Sequence, residues 1–262
     1  MSLFKKKRGT DETIKNGANL ITVADPKGPV TEQFRTIRTN INFMAVDHDI
    51  KSVAFTSANI SEGKSTVAAN VAVTYAQAGR KVLLIDADLR RPTVHSTFNL
   101  SNHVGLSTVI SSTAKEVDLD DVVQDSGIAD LAILPAGPTP PNPSELIGSK
   151  RMQDFISLVE DHYDMVIIDL APVLEVSDTQ ELARRLDGII LIVRQGKTQK
   201  AAIKRAVEML NFSKAKVLGF IMNDISSDNA GYGYGYGYGY GYGYGYGEED
   251  KKKKGFFSGR KK

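Results

Sequence analysis

Residues 53–66 read "VAFTSANISEGKST". An apolar run enters a polar loop, and Gly63-Lys64-Ser65-Thr66 then leads into the helix-length segment "VAANVAVTYAQAG" (67–79). Strand, loop and helix in that order aim loop amides and a helix N-terminus at an anion, and Lys64 adds a cationic contact. Asn59, Ile60, Ser61, Glu62, Gly63, Lys64, Ser65 and Thr66 are therefore the candidate phosphate-binding residues. Ser65 is placed to offer its hydroxyl to Mg2+. The common pattern has glycine five residues before Gly63, where this chain has Ala58.

Outward from that stretch, short apolar runs alternate with amphipathic segments. The strand candidates are 52–57, "KVLLID" (81–86), "LAILPA" (131–136), "MVIIDL" (165–170), "GIILIV" (188–193) and "KVLGFIMN" (216–223). Helix-length segments lie at 64–79, 144–161, 177–186 and 198–211, and a further helix is predicted over 31–46 with Phe34, Ile37 and Ile41 as its apolar stripe. Strands apolar throughout and separated by helices imply a parallel sheet covered on both faces. The expected architecture is α/β: a doubly wound, mostly parallel sheet over 30–224, preceded by a loosely attached arm (1–29) and followed by a disordered tail (225–262).

Composition excludes several classes. The chain has 262 residues, a formal net charge of +2 and no cysteine. It lacks the electrostatic footprint of a dedicated nucleic-acid binder, so no nucleic-acid partner is expected. Disulfides and thiolate metal sites are out, which favours a cytoplasmic home. "GIILIV" is too short to span a bilayer, and "MSLFKKKRG" has no apolar core behind its charges, so it is not a secretion signal.

In such sheets ligands sit beyond the carboxyl ends of the strands. The second strand ends "VLLIDADLRRP", with Asp86 and Asp88 one residue apart. On a straight strand they would project to opposite sides, so joint action requires the backbone to turn there. The run "MVIIDLAP" ends in Asp169, the form of a magnesium carboxylate acting through water. With Gly63-Lys64-Ser65, these aspartates point to Mg-ATP.

This combination resembles the bacterial tyrosine kinases that control capsule and exopolysaccharide synthesis, in the form whose cytoplasmic kinase is separate from its membrane activator. The resemblance runs from about residue 30 to the tyrosine-rich tail, on "ANISEGKST", "VLLIDADLRRP", "MVIIDLAP" and "PPNPSELIGSKRM" (140–152). The last has no independent physical role that the sequence supplies. Ala171 departs from the family, which often has a small polar residue before the proline. The resemblance implies a P-loop NTPase-like fold with ATP and Mg2+ as cofactors. It places Lys64 on the β/γ-phosphates, Ser65 and Asp88 at the metal, Asp169 on its water shell, and Asp86 as base for the incoming tyrosyl hydroxyl. Partners implied are a membrane-embedded activator, a cognate phosphotyrosine phosphatase and further copies in a closed ring, at the inner face of the cell membrane. Glu32, Arg35 and Arg38 match the family's ring-contact motif; from spacing alone they are one charged helix side, which is usually solvated.

Eight of the ten tyrosines, Tyr232, Tyr234, Tyr236, Tyr238, Tyr240, Tyr242, Tyr244 and Tyr246, alternate with glycine. Glycine at half the positions makes ordering entropically costly. Composition leaves two readings, an aromatic low-complexity linker or a presented set of hydroxyls. The resemblance makes them acceptors for autophosphorylation. About 20 Gly-rich residues have an r.m.s. reach of roughly 25 Å, beyond the radius of gyration of roughly 16–17 Å for a 200-residue globule. Each phosphorylation would add roughly −1.5 to −2 charges, enough in small number to reverse the net charge. "KKKKGFFSGRKK" (251–262) and "LFKKKR" (3–8) read either as contacts for an anionic membrane surface or as solvated charge runs. Asn223 reads either as an adenine contact or as a satisfied strand-end amide. Two other functions share parts of the pattern. Partition- or Min-type ATPases carry a second lysine where this chain has Asn59, and a non-enzymatic scaffold would use nucleotide structurally.

Overall fold

Each central strand places alternate side chains into two different cores. The computed structural model describes residues 16–44, 49–112 and 118–225. The chain divides into two units, Met1–Ser226 and Ser227–Lys262, and the second lies outside the described residues. In the first unit seven strands are described: β1 (Ser52–Ser57), β2 (Val82–Asp86), β3 (Gln124–Asp125), β4 (Leu131–Leu134), β5 (Met165–Asp169), β6 (Gly188–Arg194) and β7 (Val217–Asn223). They form one sheet in the order β3-β4-β2-β5-β1-β6-β7, parallel except for the β3–β4 pair.

Nine helices are described: α1 (Ile21–Ala24), α2 (Pro29–Phe43), α3 (Lys64–Ala76), α4 (Val94–Phe98), α5 (Leu106–Ser111), α6 (Pro143–Ile147), α7 (Lys150–His162), α8 (Asp178–Ala183) and α9 (Lys200–Phe212). On β2, Leu83 and Ile85 join a cluster with Phe155 and Ile156 of α7 and Leu210 of α9. Val82 and Leu84 join a second cluster with Val67, Val71 and Tyr75 of α3 and Ile41 of α2. Strand periodicity of two with both faces covered yields strands without a polar side. This is the expected doubly wound architecture. Among the described residues no helix is long and apolar enough to cross a membrane.

The central helix α3 is buried on nearly every side because α2 lies over it. The Tyr75 hydroxyl donates to Asn42 Oδ1 at 2.9 Å. Expected to reach residue 79, α3 stops at Ala76. Gly79 adopts φ 76 and the Arg80 amide turns back to the Tyr75 carbonyl, the left-handed stop that glycine permits. The segment expected as one helix over 144–161 is two, α6 and α7. Ser149 accepts from the Met152 amide at 3.1 Å and starts α7 afresh; such a cap contributes about 1 kcal/mol. β7 is an edge strand with Phe220 and Met222 exposed, unlike the buried run its apolarity suggested.

The expected arm also differs. Residues 16–28 are bound to α3 through a polar side chain in its middle, Asn70, which is fully buried, and through Gln77 at its end. Asn70 Oδ1 accepts from the Thr22 amide at 3.1 Å and the Thr22 hydroxyl at 2.9 Å, and its Nδ2 donates to the Asn19 carbonyl at 2.9 Å. Each bond contributes about 1 kcal/mol, and leaving Asn70 unpaired would cost more. The arm is therefore not loose over this stretch. Residues 1–15, 45–48 at the end of the expected 31–46 helix, and the tail with Tyr232–Tyr246 and the basic runs lie outside the described residues.

Candidate active site

β1 ends at Ser57 and α3 begins at Lys64, leaving residues 58–63 as the loop between them. Its turn needs two left-handed residues, Ser61 at φ 62 and Gly63 at φ 96. At Gly63 a side chain is excluded twice, because a Cβ would also lie 2.1 Å from Asn223 Nδ2. That nitrogen donates to the Glu62 carbonyl at 2.9 Å, so Asn223 is a strand-end amide bound to the loop. Ile60 is exposed, whereas Glu62, Lys64 and Ser65 are buried, and Thr66 gives its carbonyl to Asn70.

Lys64 is where the strand ends meet. Its Nζ lies 2.9 Å from Asp88 Oδ2, 3.1 Å from Asp169 Oδ1 and 3.2 Å from Ser65 Oγ. Burial alone would push the ammonium toward neutrality, but the carboxylates of Asp169, Asp88 and Asp86 outweigh it and raise its pKa. Lys64 is thus a permanent cation, held by acids from two adjacent strands.

Asp86 and Asp169 are register partners on β2 and β5. The backbone does turn after Asp86, bringing Asp88 onto Lys64. Asp86 itself makes the turn: its Oδ1 accepts from the Asp88 amide at 3.2 Å, and its Oδ2 from the amides of Thr93 at 2.9 Å and Val94 at 3.0 Å. The carboxylate is fully buried. Burial first, and Asp169 next, raise its pKa well above the usual carboxylate range, against the Val94 amide and Lys64. Asp169 is raised for the same leading reason, burial, against Lys64 and Ser65. Its Oδ2 is buried without a hydrogen-bond partner among the described residues.

The loop after β2 is tied outward, where Arg90 Nη2 donates to Ser144 Oγ at 2.9 Å. That exposed contact links the 140–152 segment to the aspartate loop. At Ala171 the polar contact is made by the backbone. Its carbonyl accepts from the hydroxyls of Thr56 and Thr179, each at 2.8 Å. Among the described residues no three acidic, histidine or cysteine side chains form a ready-made metal cage.

Glu32, Arg35 and Arg38 lie on α2, away from this constellation. Arg35 pairs with Glu32 and donates to the Pro26 carbonyl at 2.9 Å, while Arg38 donates to the Thr74 carbonyl of α3. Arg38 is therefore committed in part to its own chain. Sequence reasoning missed Arg194 and Thr198, which bond the 58–63 loop from the far end of β6. The signal available was a charged residue closing an otherwise apolar strand.

Residues 50–215 match the family described as an AAA domain. The chain is 50% identical over 205 residues to the tyrosine-protein kinase YwqD of Bacillus subtilis, covering 78% of this chain and 85% of that one. It superposes on the kinase domain of Escherichia coli tyrosine kinase ETK with a TM-score of 0.76 at 30% identity, over 94% of this chain and 89% of that one. The chimerical protein CapA2B2 gives a TM-score of 0.73 at 37% identity, over 81% and 96%. With Lys64 seated between the ends of β2 and β5 as such a sheet requires, the chain belongs to the bacterial tyrosine kinases and is a tyrosine-protein kinase.

Proposed function

We propose that this kinase transfers the γ-phosphoryl group of ATP to the tyrosines at 232–246 of a neighbouring copy, in a ring, and so regulates capsule or exopolysaccharide synthesis. The observation that carries the nucleotide reading is Lys64, a buried cation at the head of α3 with Asp88 and Asp169 on it. Mg2+ fits this donor set. Asp169 Oδ2 is buried and unpartnered among the described residues, Asp88 stands on the other side of Lys64, and all the donors are oxygens. Mg2+ keeps several waters and takes phosphate oxygens as ligands, so it needs no full protein cage. When bound it would supply charge neutralisation on the transferring phosphoryl. Ser65, Asp88 and Asp169 would hold it, Lys64 would contact the β/γ-phosphates, and the amides of 59–66 would cradle them.

In the proposed reaction the tyrosyl oxygen bonds to the γ-phosphorus, the bond to the ADP oxygen breaks, and the phenolic proton passes to Asp86. A phenol with a pKa of about 10 benefits from a base whose own pKa is raised by burial above the usual carboxylate range. Asp86 is covered by 87–93, so accepting that proton requires those residues to move. Glu32, Arg35 and Arg38 on α2 would form the ring contact. The membrane-embedded activator, the phosphatase and the site at the inner face of the cell membrane belong to the same reading.

The test is to mix the full chain with Mg-ATP, with and without the activator's cytoplasmic segment, and map phosphotyrosine by mass spectrometry. Phosphotyrosine within 232–246, formed also on a Lys64→Ala chain mixed with an active chain lacking its tail, is the expected result. Phosphate release without phosphotyrosine would overturn it.

A further inference from the structure

The loop that would cradle phosphate carries an acid. Glu62 stands directly before Gly63-Lys64, where a free carboxylate would repel a polyphosphate. The structure turns it away: Glu62 is 1% exposed. Its Oε2 accepts from the Asn59 amide at 3.2 Å, and its Oε1 from Asn59 Nδ2 at 3.1 Å and from the Thr198 hydroxyl at 2.8 Å. Two of these donors belong to the loop and move with it. Thr198 is the anchor outside the loop, and it is itself fixed, its hydroxyl accepting from the Arg194 amide at 2.8 Å.

The same neighbourhood grips the loop backbone. Arg194 Nη1 donates to the Ser61 carbonyl at 2.9 Å, and its Nε is held by Asp224 Oδ2 at 3.0 Å. Asn223 Nδ2 donates to the next carbonyl, that of Glu62. Ser61 is a non-glycine residue in the left-handed region, a conformation that persists where surrounding contacts over-determine it. The ends of β6 and β7 supply those contacts.

We infer that Thr198, together with Arg194 and Asn223, positions the phosphate-binding loop, and that the particular task of Thr198 is to keep the Glu62 carboxylate out of the phosphate site. The inference rests on the reading that this loop binds Mg-ATP. Without the Thr198 hydroxyl, Glu62 keeps donors from Asn59 alone among the described residues, and its charge is free to turn toward the phosphates. Repulsion between charges a few ångströms apart near a protein surface suffices for about a tenfold loss of affinity. Positioning and charge exclusion make different predictions, because only the second is relieved by neutralising Glu62.

The experiment is a calorimetric titration of the full chain with Mg-ATP, alongside a thermal midpoint for each variant. Thr198→Val, which keeps the shape and loses the hydroxyl, is expected to raise the Kd about tenfold, and Thr198→Ala to do the same. Thr198→Ser should bind as the wild type does. Adding Glu62→Gln to Thr198→Val should recover most of the loss, a non-additivity that a purely structural role would not produce. Wild-type affinity in both Thr198→Val and Thr198→Ala, or a double variant as weak as Thr198→Val, overturns the inference. A wild-type chain that does not bind Mg-ATP overturns the nucleotide reading first, and this inference with it.

Discussion

The ends of β2 and β5 are built from the same kind of sequence, an apolar run closed by an aspartate, and their aspartates are neighbours in register. They do opposite things. Asp86 gives both oxygens to backbone amides of its own following loop, and so shapes that loop into the turn that delivers Asp88. Asp169 gives one oxygen to Lys64 and keeps the other unpartnered among the described residues. One carboxylate organises protein, and the other is left available. A buried carboxylate without hydrogen-bond partners is expensive, so its unpaired oxygen marks the side on which ligand chemistry is expected.

Four experiments break or sharpen that contrast. The largest effect is expected from Lys64→Met, which removes the cation both strand ends share. Phosphotyrosine formation should fall about 10³-fold and Mg-ATP affinity should drop with it. Retained ATP binding in a direct titration would mean that Lys64 serves only the aspartates. Next, Asp86→Asn should lower phosphotyrosine formation about 10²-fold while leaving nucleotide affinity within a few-fold. Unchanged phosphotransfer would remove Asp86 from the role of base, and nucleotide affinity lost together with phosphotransfer would show that Asp86 acts by organising 87–93 instead. Asp169→Asn should cost about tenfold, with the Mg2+ requirement shifted upward, read by titrating Mg2+ at fixed ATP. An unshifted Mg2+ curve would count against the unpartnered oxygen as a metal-side group.

The smallest effect concerns the backing of the Asp86 clamp. His95 lies on α4, next to the Val94 amide that Asp86 accepts, and burial lowers its pKa from the ordinary 6.5. Its Nδ1 is buried and unpartnered among the described residues. A depressed folded pKa means that neutral His95 favours the fold. That contribution is present above the unfolded value of 6.5 and is lost as pH falls through the lower folded value. His95→Asn should therefore flatten the fall of the denaturation midpoint between pH 7 and pH 5. A slope identical to wild type would show that acid sensitivity resides elsewhere.

Much of this site was legible in the chain. Asp88 and Asp169 were readable because they follow the end of an apolar run, and Lys64 and Ser65 because a polar loop there gives way to a helix-length segment; both are visible as changes of composition. The two-helix form of 143–162 was less legible, since one serine cap competes with a helical pattern on both sides. The packed stretch at 16–28 was hidden because Asn70 looks like a polar interruption of α3 until Thr22 and Asn19 are placed beside it. Arg194, Thr198 and Asn223 were harder still. They meet Ser61 and Glu62 across 133 to 161 residues of chain, a separation over which local pattern carries no information.

By itself, then, the sequence determined the alternation of strands and helices, the phosphate loop and the identity of the acids at the strand ends. These follow from periodicity and residue chemistry, which act over a few positions. The tertiary structure decided which acid faces Lys64, which faces its own loop, and that Glu62 turns inward to Asn59 and Thr198. Those outcomes depend on strand order, β2-β5-β1-β6-β7. Hydrogen bonds of about 3 Å discriminate between neighbours that only the assembled sheet brings within reach.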